Sequence, residues 1–175
     1  MPAPCYQAWN QATGALTTFA AFQSSGTSIT QARTMWQAAP ASSTALRPVE
    51  WGYIFSAAES AAPATIELID TGTVPATGLT AHVAAGIHKV NVPTGAASTV
   101  QLGTGLTGYA STAPTEGAIT ATRLIDMRQE NGIWAQKQYP LGREWEIPAS
   151  NFLRIRLTPG STTAISFLCY VMWEE

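Results

Sequence analysis

The sequence predicts an all-β protein, a two-sheet antiparallel β-sandwich of jelly-roll type. Runs rich in Val, Ile, Thr, Tyr, Phe and Trp are separated by clusters of Gly, Pro, Ser and Asn at short, fairly regular spacing. No internal repeat of fixed period is present, which disfavours a propeller or a solenoid. The length of 175 residues suits a single domain with its own core.

The chain divides at a Ser-Ser-Gly sequence. Residues 1–26 are polar and rich in Ala and Thr, and they predict an N-terminal arm or an edge strand. Residues 27–175 predict the β-sandwich domain, with eight to ten strands. In chain order, the predicted strands are 27–37, 48–55, 65–71, 79–92, 99–102, 118–128, 133–139, 144–147, 152–158 and 164–173.

The early strands are predicted by their apolar anchors. Ile29 and Trp36 anchor the first strand of the domain. In the second, alternate positions are apolar and therefore share one face of a strand, which puts Trp51 in the core. Gly86 interrupts the strand at 79–92 and indicates a bulge or a bend.

The later strands are predicted by turn signals between them. Asn131-Gly132 is a favoured two-residue turn, so residues 118–128 are expected to pair with residues 133–139 in a hairpin. Pro159-Gly160 is a tight turn into the last strand, which is apolar on both faces. Such a strand is either central and covered on both sides, or it presents one face to a partner.

The strand at 152–158 alternates between apolar and basic residues. Leu153, Ile155 and Leu157 are expected to face the core, whereas Arg154 and Arg156 are expected to face outward.

The surface is predicted to carry few charges. Charged residues are 11% of the chain, against about 25% in a typical soluble domain. Nine Lys and Arg residues and a net charge of −2 exclude the basic stripe of a nucleic-acid-binding protein. A neutral surface gives weak repulsion between molecules, so we expect much of it to be covered in an assembly. A soluble protein of unusual composition is the alternative.

Residues that carry chemistry are sparse, and the sequence predicts no enzyme, no cofactor and no metal site. His82 and His88 are six residues apart without nearby carboxylates, so solvent-facing or hydrogen-bonded histidines are expected. The Gly-x-Gly-x-x-Gly spacing at 103–108 is predicted to be a loop, because no helix follows it to bind a phosphate. Cys5 and Cys169 are expected to be reduced thiols, although a bridge between the chain ends is left open.

A candidate protein interface is predicted in the C-terminal third. Tryptophan and arginine beside carboxylates are typical of the centre and rim of a protein–protein contact. The alternative is an ordinary solvated strand face, and the exposed aromatic residues would also suit sugar stacking. The candidate residues are Trp134, Arg143, Trp145, Arg154 and Arg156.

Several segments resemble a group of small structural proteins of tailed bacteriophages. The likeness covers roughly residues 46–175 and lies in packing and turn motifs. These are LRPVEWGY at 46–53, TAHV at 80–83, ITATR at 119–123, YPLGRE at 139–144, FLRIR at 152–156 and CYVMWEE at 169–175.

The resemblance implies a capsid decoration, or cement, protein. Proteins of this group are β-sandwiches, are commonly homotrimers, and bridge subunits of the major capsid protein. The chain is accordingly expected on the capsid surface of a virion after synthesis in the host cytoplasm, with the major capsid protein and itself as partners and with no nucleic acid or membrane. The alternative function is a carbohydrate-binding β-sandwich module of a phage fibre or tail.

Overall fold

A computed structural model describes residues 3–11, 22–58, 62–91, 94–130, 132–140 and 142–175. These residues form two antiparallel sheets of six strands each, so the predicted β-sandwich is confirmed. The finer jelly-roll assignment stays a prediction. No helix within the described ranges has the length and apolar character needed to cross a membrane.

The first sheet holds the strand that is apolar on both faces. Its order is β10-β4-β12-β1-β7, and β2 pairs with the start of β12. The bounds are β1 Cys5–Trp9, β2 Gln23–Ser24, β4 Arg47–Phe55, β7 Ile87–Lys89, β10 Trp134–Gln138 and β12 Ser166–Glu174. Strand β12 is therefore central, the first of the two outcomes that its composition allows.

The second sheet has the order β6-β8-β3-β11-β5-β9. The bounds are β3 Arg33–Ala38, β5 Ala64–Asp70, β6 Thr80–Ala81, β8 Gly108–Tyr109, β9 Arg123–Glu130 and β11 Leu153–Thr158. A register shift between β11 and β3 leaves Met35 as an extra residue, which is a β-bulge.

The core lies between the two sheets and follows the predicted alternation. On β4, Trp51 and Tyr53 are each 1% exposed, and on β12 the side chains of Cys169 and Trp173 are fully buried. The second sheet contributes the inward positions of β11 and β5. The prediction that Trp51 is a core residue is confirmed, whereas Ile29 is half exposed and does not anchor the core.

The segment predicted as an arm or edge strand is described in two pieces. Cys5–Trp9 forms β1, which lies between β12 and β7 in the interior of the first sheet. Residues 12–21 lie outside the described residues. Both cysteines are free and buried, and burial raises the pKa of Cys5 to about 11 and that of Cys169 well above its usual value.

The predicted hairpin between residues 118–128 and 133–139 is wrong. Strand β9 pairs with β5 in the second sheet, whereas β10 pairs with β4 in the first. The chain between them crosses from one sheet to the other, and Asn131 lies outside the described residues. Consequently β9 and β10 are both edge strands.

The strand predicted at 79–92 is also divided between the sheets. Its first part is β6 in the second sheet and its last part is β7 in the first. A 3₁₀ turn at Ala84–Gly86 joins them, at the glycine that the sequence marks as a bend.

Arg154 points outward as predicted, but it is buried and is not the exposed interface residue that the sequence suggests. Its side chain points to the outer face of the second sheet, but two loops cover it and its exposure is 0%. Its guanidinium donates to the carbonyl oxygen of Glu116 at 2.9 Å and to that of Val74. Buried donors need such partners, and the sequence gives no local sign that these loops supply them.

Candidate protein interface

The five predicted interface residues do not form one surface. Trp134 starts the edge strand β10 and is 68% exposed. Arg143 lies in an exposed turn, where its backbone N–H donates to the carbonyl oxygen of Pro140. Trp145 is partly exposed, and the Arg123 guanidinium lies 5.6 Å from its ring centre.

The two arginines of β11 form contacts within the protein that stabilise the fold. Arg156 forms a largely buried ion pair with Glu67, with a shortest N–O distance of 2.7 Å. Arg154 is 3.6 Å from the carboxylate of Glu116. Burial lowers the pKa of Arg154 to about 10 and Glu116 opposes the shift, so the group stays charged at neutral pH. Neither is free to contact a partner as Trp134 is.

Five of the ten large apolar residues that are exposed in the described part of the chain lie on or beside the edge strands β9 and β10. We call this the β9/β10 side. It comprises Leu124, Met127, Ile133, Trp134 and Trp145, whose exposures run from 39% to 68%. By strand register Leu124 and Met127 face outward from the second sheet and Trp134 faces outward from the first, so they border the two edge strands from opposite faces. Exposed apolar residues beside strand edges suit contact with another protein. The sequence pattern misses Leu124, Met127 and Ile133 because the predicted hairpin places strand pairing where the structure has two edge strands.

Charged groups at the β9/β10 side point inward and hold the two sheets together. Asp126 of β9 accepts a hydrogen bond from Trp51 Nε1 at 3.2 Å. The same carboxylate lies 3.5 Å from Lys137 Nζ on β10 and 3.6 Å from Arg128 Nε. Burial, aided by Asp126, raises the pKa of the Tyr139 hydroxyl nearby. Asp126, Arg128 and Lys137 are thus paired with one another between β9 and β10, whereas Met127 and Trp134 face outward.

A cleft of about 740 Å³ lies between the start of β3, the loop at residues 113–116 and the end of β11. Its charged groups already have partners within the protein. Arg33 donates to the carbonyl oxygens of Ser24 and Thr112, and Glu116 accepts from the backbone N–H and hydroxyl of Thr34. These contacts attach the chain around the start of β3 to the loop at residues 112–116.

The two histidines occupy different environments. His88 is half-buried on β7, whereas His82 is 4% exposed between the aromatic rings of Trp36 and Tyr109. His82 Nε2 lies 2.8 Å from the Trp9 carbonyl oxygen, so it carries the proton in the neutral ring. No three His, Cys, Asp or Glu side chains in the described ranges are grouped as a metal site requires.

His82 is expected to make the free energy of unfolding depend on pH. Among the described residues its Nδ1 has no hydrogen-bond partner, and burial lowers its pKa below the ordinary value of about 6.5. Between pH 6.5 and the lower pKa of the folded state, His82 binds a proton in the unfolded chain but stays neutral in the folded chain. The free energy of unfolding is therefore expected to fall as pH falls, by up to about 1.4 kcal/mol per pH unit until the folded-state pKa is reached.

Urea unfolding from pH 8 to pH 5 at one protein concentration measures this effect. The His82→Gln variant keeps an amide donor for the Trp9 carbonyl and is expected to lose this part of the pH slope. The His88→Gln variant is the matched control and should keep it. Equal slopes in the wild type and in His82→Gln would show that His82 does not govern this dependence.

Comparison with known proteins finds no matching family model, no matching curated protein and no matching solved structure. The resemblance to phage structural proteins thus stays a prediction.

Proposed function

We propose that this chain is a non-enzymatic structural protein of a tailed-phage particle, a decoration protein that associates with itself and binds the lattice of the major capsid protein. The observation that carries the proposal is the β9/β10 side. Two edge strands and five exposed apolar residues lie there, on a protein in which only 11% of residues are charged. The resemblance in sequence supplies the choice of a phage particle.

Burial of apolar surface favours this association, and the low surface charge gives little repulsion against it. Apolar surface removed from water contributes about 25 cal/mol per Å², and a nearly uncharged surface opposes contact only weakly. A subunit that touches both its neighbours and the lattice needs only moderate affinity at each contact, because linked contacts act together. A layer of such subunits on the capsid would resist the pressure of packaged DNA, because it adds contacts across the boundaries between capsid subunits.

Binding to heads purified without this protein tests the proposal. The wild-type chain is expected to sediment with the heads saturably and to raise their resistance to heat-induced DNA release. Met127→Lys should weaken binding, because it places a charge on the β9/β10 side. Ile29→Lys is the matched control, since Ile29 is equally exposed but lies in the turn before β3. Absence of saturable binding by the wild type would contradict the proposal.

A carbohydrate-binding module is the second candidate. The observation that favours it is Trp134, which is exposed beside Gln136 and Gln138 on the same outward-facing side of β10. An aromatic ring beside amide groups suits stacking and hydrogen bonding to a sugar. A glycan array with the wild type and Trp134→Ala separates the candidates, because only a sugar-binding protein gives a signal that this change removes.

A further inference from the structure

The backbone of β10 presents an open row of hydrogen-bonding groups. The pairs Ile133–Phe55 and Tyr139–Val49 bond β10 to β4, with N–O distances of 2.6 and 2.8 Å. Bonded residues alternate along an antiparallel pair, so the N–H and C=O groups of Trp134, Gln136 and Gln138 point away from β4. In the described part of the chain no strand lies on that side of β10.

The other three sheet edges are protected in recognised ways. Strands β6 and β7 are only two and three residues long. Strand β9 has a register shift against β5 and carries the partly exposed Arg123 and Arg128. Short edges, irregular pairing and charges all discourage strand addition.

The edge of β10 lacks these protections. The strand contains no proline, and its register against β4 is unbroken. Its one charged side chain, Lys137, is directed to Asp126 and lies over the Tyr139 ring rather than at the edge. The three residues with free backbone groups are uncharged and exposed.

We infer that β10 pairs with β10 of a second copy of this chain, antiparallel and centred on Gln136, so that the first sheet continues across a two-fold axis. In this register Trp134 lies opposite Gln138 of the second copy, and Gln136 lies opposite its own equivalent. Each of the three residues donates and accepts once with its counterpart, which makes six hydrogen bonds between the chains.

The uncharged edge residues suit a second copy as the occupant, because each of them lies opposite an uncharged residue of the other chain. The two Lys137 side chains become diagonal neighbours across the axis, and each stays paired with Asp126 of its own chain. An arrangement related by a two-fold axis is also closed, which limits growth to a pair at this edge. The trimer implied by the phage resemblance would need a different contact. The inference rests on one part of the proposed function, the self-association of the chain, and not on binding to a capsid.

Disulfide cross-linking tests the register between the two β10 strands directly. Across the axis the two Gln136 Cα atoms would be about 5.5 Å apart, within the range that a disulfide spans. The two Gln138 Cα atoms would be about 14 Å apart, four residue steps along the strands, which is too far. Under mild oxidation Gln136→Cys should form a covalent dimer, whereas Gln138→Cys on the same edge should not. The wild type gives the background, because both native cysteines are buried.

A charge variant measures the same contact without a covalent bond. Gln136→Lys places two ammonium groups opposite each other and is expected to weaken dimerisation at least about tenfold by sedimentation velocity. Gln31→Lys makes the same change at an exposed residue remote from β10 and should have no effect.

The outcomes separate the two proposals. Cross-linking at neither position, at both equally, or at residue 138 alone overturns the inference. If a strand of the capsid protein occupies the β10 edge instead, Gln136→Cys should not cross-link but the wild type should still bind heads. The proposed function would then stand. Cross-linking at residue 136 without any head binding would support the inference and contradict the proposed function.

Discussion

Replacing Trp51 with alanine is expected to lower the free energy of unfolding by about 3 to 5 kcal/mol. Trp51 is 1% exposed, packs against Tyr53 and donates a hydrogen bond to Asp126 on the facing sheet. The change removes a large buried ring and also one link between the sheets. Urea or thermal unfolding measures the loss.

Trp134→Ala is the matched control for this prediction. The same deletion at an exposed position on the neighbouring strand should change the stability of the monomer by no more than about 0.5 kcal/mol. If the two variants were equally destabilised, the division of tryptophans between core and surface would be wrong.

Replacing Arg154 with alanine is expected to lower the free energy of unfolding by about 3 to 5 kcal/mol. The guanidinium has no exposed surface, and its loss leaves two carbonyl oxygens without their donor. It also removes the attachment of two loops to the outer face of the second sheet. Faster proteolysis within these loops should accompany the loss of stability.

Arg156→Ala tests whether burial is the cause. Arg156 is the next outward residue on the same strand, and its ion pair with Glu67 retains some contact with solvent. Its replacement is expected to cost about 1 kcal/mol, because a partly exposed ion pair contributes less than a fully buried one. Equal losses for both arginines would show that the complete burial of Arg154 does not set the size of its effect.

The sequence predicts best those features that depend on alternation within one strand. The apolar series on β4 places Trp51 and Tyr53 correctly, because side chains two residues apart share a face whatever strand lies beside them. The central position of β12 follows from the same reasoning, since apolar residues on both faces need cover on both sides.

Features that depend on distant parts of the chain are not predictable in this way. Arg154 has the outward position expected of it, but its acceptors are 38 and 80 residues away in sequence. Local alternation shows which way a side chain points and gives no information on which loop covers it.

The hairpin error has a similar origin. An Asn-Gly turn favours reversal of the chain, but a chain can reverse within one sheet or pass to the facing sheet. Strand β9 matches β5 over seven residue pairs, and β10 matches β4 over five, so pairing with distant strands prevails over the local turn signal. The two edge strands of the β9/β10 side, and with them the candidate interface, follow from that outcome.

The molar mass of the full chain in solution, measured by light scattering over a range of concentrations, tests most directly whether this sandwich functions as part of an assembly. If the protein associates as proposed, the mass rises with concentration to twice 18.5 kDa or a higher whole multiple. A mass that stays at 18.5 kDa up to the solubility limit would contradict it.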